Sequence, residues 1–463
     1  AEGDRAYMDK LLQSLQPSEV IFSRSYQKEF REQFGNGFFT YLLDEWIFDE
    51  TYATESLLKH FGTHSLKGFG IADMKAGIIS AGAVLHYLKD TEHPNLQHIT
   101  SIQRIHREAH LWMDRFTIRN LELMHPQEEA HTLFKTMNST TSPMGARLLK
   151  RWMLMPLCQK DAIQERLDAV EWLNTNATTR DSLMTHLKNC GDVERLCAKI
   201  PLQKVNPREV LQIAKGLEET ASLKAICSQS TNAYLRRLGE TLNPCMQMME
   251  QIRTTLQENP PAVINKGGLI ASGIHAELDE LRAISSGGKN YLIELQQKEA
   301  QATGISSLKI AYNNVFGYYL EVTHTHKNKV PDTWIRKQTL TNAERYITPE
   351  LKVYEEKILG AEEKIIQIET EVFQHMLKAL MEYILPLQTN GHVMAVLDCL
   401  CSFSQNACRL QYCKPTIHEA DEYTVTDSRH PVIEQHLATG EQYIPNNISV
   451  SYTHLTLPTI LLV

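Results

Sequence analysis

The sequence predicts a mainly α chain with a small β-rich insertion, preceded by the remnant of an α/β domain. From Gly68 to about Tyr412 apolar residues recur at three- and four-residue spacing, the period of a helix with one buried face. Between Leu308 and Ile347 the period drops to two, and β-branched and aromatic residues take over. Before residue 66 an apolar patch, Glu19-Val20-Ile21-Phe22-Ser23, sits among amphipathic helical stretches, as at the end of an α/β domain.

Within the helical region, Asp73 to Leu85 is small and apolar enough to form a buried helix. Ser142-Pro143 marks a helix start, a capping hydroxyl followed by proline at the first helical position. Ile274, Leu278, Leu281, Leu292 and Leu295 outline an amphipathic helix ahead of the β-element, and Gly287-Gly288-Lys289-Asn290 reads as a break in it. Leu308-Lys309-Ile310-Ala311-Tyr312 alternates as a first strand, and Asn313-Asn314 supplies a turn pair that tolerates positive φ. Val315 to Val322 forms the return strand, Trp334 to Leu340 a third and Arg345-Tyr346-Ile347 a short fourth. Thr348-Pro349-Glu350 then opens a long helix: a cap, proline, and a carboxylate near the positive end of the dipole. Its seam of Leu351, Tyr354, Ile358, Ala361, Ile365, Ile368 and Val372 steps by three and four, as in a coiled coil. Running to about Ile384, the helix would be roughly 50 Å long at about 1.5 Å per residue.

A chain of 463 residues holds several domains, at roughly 150 residues each. The net charge of −8 excludes a protein that coats nucleic acid indiscriminately, while leaving room for a local basic patch. Nine scattered cysteines indicate reduced thiols and a cytoplasmic setting. No apolar run approaches the roughly 20 residues that span a bilayer. Cys399, Cys401, Cys408 and Cys413 lack the paired spacing of a zinc site and read as buried free thiols, with Cys401 and Cys408 on one helix face. His324 and His326 alternate along a strand with no third ligand nearby, so no metal site is expected. No G-x-x-x-x-G-K-[ST] occurs, so nothing in this sequence would cradle ATP as a phosphate loop does. The chain starts at Ala1 in mid-pattern and reads as a piece of something longer.

The β-rich tip is basic within an acidic chain. Lys309, Lys327, Lys329, Arg336, Lys337, Arg345 and Lys352 outnumber Glu321, Asp332, Glu344 and Glu350. With the amides and hydroxyl of Asn313, Asn314, Gln338, Thr339 and Asn342 beside them, these cations suit phosphate contacts, which hold a duplex without reading it. The bland alternative is a solvated face whose lysines discourage edge-to-edge pairing.

The run Phe316 to Ile365 resembles the clamp and lever of the MutS family of DNA mismatch-recognition ATPases. Gly68-Phe69-Gly70, Phe116 to Glu122 and Thr141 to Trp152 are similar to that family in the same order, and Asp427 to Glu434 resembles the opening strand of its ATPase domain. The resemblance implies a helical core with long lever helices carrying a β-sheet clamp tip. It divides the chain into the C-terminal part of a connector domain (1–66), helical core and outgoing lever (67–290), clamp (291–352), returning lever helix (353–415) and the start of a truncated ATPase domain (416–450). Residues 451–463 depart from the family, resemble a translated sequencing adapter, and are read as an artefact.

The resemblance further implies that a mismatch-reading domain precedes residue 1. The clamp would contact duplex DNA through Asn313, Asn314, Lys327, Lys329, Arg336, Lys337, Asn342, Arg345 and Lys352. Tyr443, with Ile444 and Asn446, falls where the family stacks an aromatic on adenine. No catalytic residue, metal or cofactor is expected in this chain itself. The full-length parent would be a DNA-dependent ATPase using ATP and magnesium, a homodimer, and the partner of a MutL-type protein, cytoplasmic and associated with the nucleoid. The alternative is a helical scaffold whose β-tip binds another protein.

Overall fold

A computed structural model describes residues 2–451 apart from 16, 92–95, 97–98, 105–108, 112, 125–130, 314–316, 421 and 439. At 13–14, 115, 284, 286–290, 354, 356–359 and 451 it describes the backbone only. The chain separates into two compact units. One comprises Ala1–Lys204, Lys215–Met246 and Met381–Val463, the other Val205–Ala214 and Gln247–Leu380.

The first unit opens with two parallel strands, β1 (Val20–Ser23) and β2 (Thr40–Leu43), Val20 facing Thr40. The helix Gln27–Phe34 lies between them in sequence, as parallel strands require a crossover. Asp49 caps the next helix, Glu50–Phe61, by accepting from the Tyr52 amide, and Gly62 ends it at a φ of 61°. The expected apolar helix is Lys75–Asp90, and its Ile78 and Leu85 are buried with Ala53 and Leu57 of the preceding helix. The two backbones approach so closely at Gly82 that a Cβ there would sit 2.5 Å from the Ala53 Cβ.

The core of this unit is built around the helix Ile384–Leu410, buried along most of its length. The helices Pro143–Leu154, Lys160–Thr175, Ala177–Asn189 and Val193–Lys199 pack against it. Its polar residues are as buried as its leucines: Asn390, Asp398, Ser402, Ser404 and Asn406 are all fully inaccessible. Each is hydrogen-bonded to chain outside the helix, as burial demands, with Ser402 and Asn406 sharing Met137 and Ser139. Asn390 exchanges hydrogen bonds with Asn243, accepting from its amide and donating to its carbonyl. Asn406 donates to the Met137 carbonyl, and Ser404 to Asn174. Asp398 accepts from the amides and hydroxyls of Thr141 and Ser142. Ser142 in turn caps Pro143–Leu154 by accepting from the Gly145 amide, the start expected from the sequence. Cys399 and Cys401 are buried here, whereas Cys408 and Cys413 are exposed. The expectation that all four are buried holds only for the first pair, because the helix leaves the core in its last turns.

The second unit holds two long helices, Ala276–Thr303 and Pro349–Met381, and between them in sequence a four-stranded antiparallel sheet. Its strands are β3 (Lys309–Asn313), β4 (Gly317–Thr323), β5 (Ile335–Thr339) and β6 (Ala343–Ile347), in spatial order β3-β4-β6-β5. Leu295, Ile305, Leu308, Leu320, Val322, Trp334, Tyr346, Ile347 and Leu351 form one core beneath the sheet, so the tip owns a small hydrophobic interior. Thr348 caps the returning helix by accepting from the Leu351 amide. That helix ends at Met381 and a new one begins at Ile384, close to the expected limit.

Two further expectations are corrected. The helix Ala276–Thr303 runs unbroken through Gly287-Gly288, because flanking helix formers absorb a cost of about 1 kcal/mol per glycine. His324 and His326 lie in a 3₁₀ stretch, His324–Lys329, where the chain turns back after β4; the alternation that suggested a strand stops at Thr323. Residues 422–428 and 446–451 form a separate antiparallel pair, β7 and β8, in the first unit. Of the tail, Ser451 ends β8 and 452–463 lie outside the described residues.

Candidate nucleic-acid interface

The pairing of β3 to β6 sets which candidate residues share a face. Lys309 faces Glu321, Glu321 faces Arg345, and Arg345 faces Gln338, giving one polar row across all four strands. The next row, Ile310, Leu320, Tyr346 and Arg336, turns toward the hydrophobic core and ends in a cation at the edge strand. Strand parity therefore assigns Arg336 and Arg345 to opposite faces.

Arg345 is committed within the sheet. Its Nη1 donates to Gln338 at 2.8 Å and its Nε to Glu321 at 3.4 Å, and its guanidinium lies 4.2 Å from the Tyr319 ring centre. Lys327 and Arg336 converge on Glu344, whose side chain is only 3% exposed. Lys327 Nζ is 2.8 Å from Glu344 Oε1 and Arg336 Nη1 is 3.7 Å from the same oxygen, while Tyr346 donates its hydroxyl to Oε2. The Lys327 and Tyr346 hydrogen bonds hold the Glu344 carboxyl below the usual carboxylate range. Burial and the same carboxylate push the Tyr346 phenol up to about 12.

The remaining candidates are less constrained. Register shifts between Arg336 and Gln338, so Lys337 is the bulged residue of the edge strand, and bulges re-aim side chains. Lys337, Lys352 and Lys309 are exposed and make no ion pair among the described residues. Lys329 donates to the Gly304 carbonyl at 3.1 Å and makes no ion pair among the described residues. Asn342 is exposed at the β5–β6 turn, and its carbonyl accepts from the His324 amide. Asn313 ends β3 opposite Gly317, and Asn314 lies outside the described residues.

Sequence reasoning missed the groups that fix this sheet to its helices. Glu355 accepts from the Tyr318 amide at 2.8 Å, beside Gly317, whose φ of +73° only glycine adopts easily. Gln296 accepts from the Ile310 amide, and Lys298 and Tyr291 both reach Glu350, tying the two long helices together. Glu369 is fully buried and accepts from the Gly268 and Leu269 amides and from Arg282 at 2.6 Å. The signal for Glu344 was present in strand parity, which pairs it with core-facing Tyr346; Glu369 left none, since its partners are distant in sequence.

The second set of candidates lies in the first unit. Tyr443 is half-exposed, Ile444 is exposed, and Asn446 opens β8 with its amide donating to the Ile444 carbonyl at 3.2 Å. No group of three or more histidine, cysteine or acidic side chains among the described residues is arranged to hold a metal ion. No described helix is long and apolar enough to cross a membrane.

The family model described as MutS domain III matches residues 116–404, and that described as MutS domain II matches residues 2–100. Proteins named DNA mismatch repair protein MutS are 49% identical in Flavobacterium johnsoniae, 51% in Cytophaga hutchinsonii and 47% in Bacteroides thetaiotaomicron. Each alignment covers 97% of this chain and 52% of the relative, so the chain spans about half the length of the curated relatives it matches.

Proposed function

The chain belongs to the MutS family of DNA mismatch repair proteins, and we propose from that premise that its sheet-tipped helix pair grips the backbone of duplex DNA. The carrying observation is a set of exposed cations that make no ion pair among the described residues: Lys309 and Lys337 on a sheet that has its own core, Lys329 in the turn after β4, and Lys352 in the first turn of the returning helix. Lysines that spend no charge on internal acids are free to displace counterions from phosphates, an attraction blind to sequence.

For the whole protein we propose a homodimeric, cytoplasmic DNA-dependent ATPase that uses ATP and magnesium, recognises mismatches and engages a MutL-type partner. Nucleotide hydrolysis is assigned to that larger protein, because the phosphate-loop signature does not occur in these residues. Tyr443, Ile444 and Asn446 are proposed as part of its adenine contact.

The test is fluorescence anisotropy of the chain with a labelled duplex, with and without one mismatch, across a salt titration. The expected result is binding that ignores the mismatch and weakens with salt, with a slope of about −0.9 per phosphate contact. A folded chain that fails to bind at low salt, or binds a protein partner without salt dependence instead, overturns the reading.

A further inference from the structure

We propose that Glu344, an acid inside a phosphate-binding surface, is a positioning residue that holds Lys327 and Arg336 together for one backbone phosphate. The inference rests on the DNA reading above. It turns on a juxtaposition: an inaccessible carboxylate forms the floor, and the two cations rise from it to solvent, 52% and 58% exposed. Both reach the same oxygen, Oε1, so their nitrogens cannot be farther apart than the sum of the two distances. Glu344 is itself fixed, because Tyr346, buried in the core of the sheet, donates to its other oxygen.

Donor arithmetic leaves this pair able to bind an anion. The lysine ammonium has three donors and the guanidinium five, and one carboxylate oxygen engages only a small part of them. Two cations this close would repel and swing apart without the acid between them, and both side chains are rich in rotamers. Glu344 removes that freedom before DNA arrives, so the ordering cost of binding falls. Simple Coulomb reasoning makes the opposite prediction, since deleting a negative charge beside DNA should tighten binding.

The sign of one substitution therefore decides. Glu344→Gln is expected to weaken duplex affinity by about tenfold, the scale of re-ordering two side chains. It should also flatten the salt slope by up to about 0.9 for each cation lost. Unchanged or tighter binding by a folded Glu344→Gln chain overturns the proposal. Tyr346→Phe keeps every charge and the core ring, and should shift affinity and slope in the same direction by less. If Glu344→Gln does not fold, an unchanged slope in Tyr346→Phe overturns the proposal instead. Combining Glu344→Gln with Lys327→Met and Arg336→Met should add little to the loss from the two methionines, and full additivity would count against positioning. Lys337→Glu and Lys352→Glu separate the two levels: if they weaken binding while Glu344→Gln does not, only the positioning role falls. If no variant changes affinity, the DNA reading falls with it.

Discussion

The Asp398 carboxylate accepts from the Ser142 amide at 2.8 Å and from the Ser142 hydroxyl at 2.6 Å, joining the start of one helix to the middle of another that lies far along the chain. Its other oxygen takes the amide and hydroxyl of Thr141. Asp398 is thus the partner that the buried Ser142 amide and the half-buried Thr141 amide would otherwise lack. Asp398→Ala should cost the first unit about 2–6 kcal/mol, since each of the two amides left unsatisfied costs about 1–3 kcal/mol. Urea unfolding monitored by circular dichroism would measure it. Gly145 lies so near that any Cβ there would collide with Asp398 Oδ2, so Gly145→Ala should mimic the loss.

A second close approach gives an independent measure of packing in the same unit. A Cβ on Gly82 would lie 2.5 Å from the Ala53 Cβ and 2.7 Å from its Cα, where backbone cannot yield easily. Gly82→Ala, which should favour an isolated helix, is expected to destabilise instead, by about 1–3 kcal/mol of overpacking. A rise in melting temperature would contradict it.

In the second unit, the Arg282–Glu369 pair is the buried charge at risk. Glu369 is inaccessible and Arg282 Nη2 lies 2.6 Å from it, also donating to the Ile270 carbonyl. Removing one partner strands the other, so Glu369→Ala should cost about 3–5 kcal/mol. Arg282→Met combined with Glu369→Leu should recover only the part due to the stranded guanidinium, because the Gly268 and Leu269 amides stay without their acceptor. A double-mutant cycle by chemical denaturation tests the coupling.

Much of this architecture was legible in the sequence, and the exceptions have physical causes. Period-two alternation located β3 to β6 within a few residues, and the caps at Ser142 and Thr348 fall where hydroxyl–proline pairs announced them. The expected seam of the returning helix holds at Leu351, Ala361 and Ile365, but by Val372 it has slipped: Val372 is half-buried and Phe373 fully buried. A 3.5-residue repeat drifts around a straight 3.6-residue helix, so the buried stripe walks off the heptad. Asp398 and Glu369 were invisible because an isolated acid reads as solvated until its distant donors are known. Of the candidate DNA contacts, composition could name the cations but not say which ones are occupied by Glu321 and Glu344.

That division predicts different phenotypes for residues that look alike in sequence. Arg345→Met removes a guanidinium bonded to Gln338 and Glu321 and seated over Tyr319, and should lower the stability of the sheet while leaving the salt slope of DNA binding near its original value. Lys337→Met, at the bulge, should do the reverse, flattening the slope by about 0.9 with little effect on stability. Paired thermal melts and salt titrations of the two variants would show whether the crossover occurs.

Two buried carboxylates should respond to pH with opposite signs. Burial pushes Asp398 above the ordinary carboxyl value, outweighing the bonds from Ser142 and Thr141. A raised pKa means that the folded state binds the proton more tightly, so the Asp398 contribution is full below the unfolded value of about 3.9 and is lost as pH rises through the folded one. The Lys327 bond, then the Tyr346 bond, lower Glu344. Its contribution is present above the unfolded value of about 4.3 and disappears as pH falls through the folded one. Hydrogen exchange from near-neutral pH down to below the unfolded carboxyl values of about 4, compared with Asp398→Asn and Glu344→Gln, separates the two. Relative to its variant, the wild-type helix Pro143–Leu154 should gain protection as the solution is acidified, and the wild-type strand Ala343–Ile347 should lose it. The same sign in both segments would mean either that burial does not outweigh the hydrogen bonds at Asp398 or that the Lys327 and Tyr346 bonds do not hold Glu344.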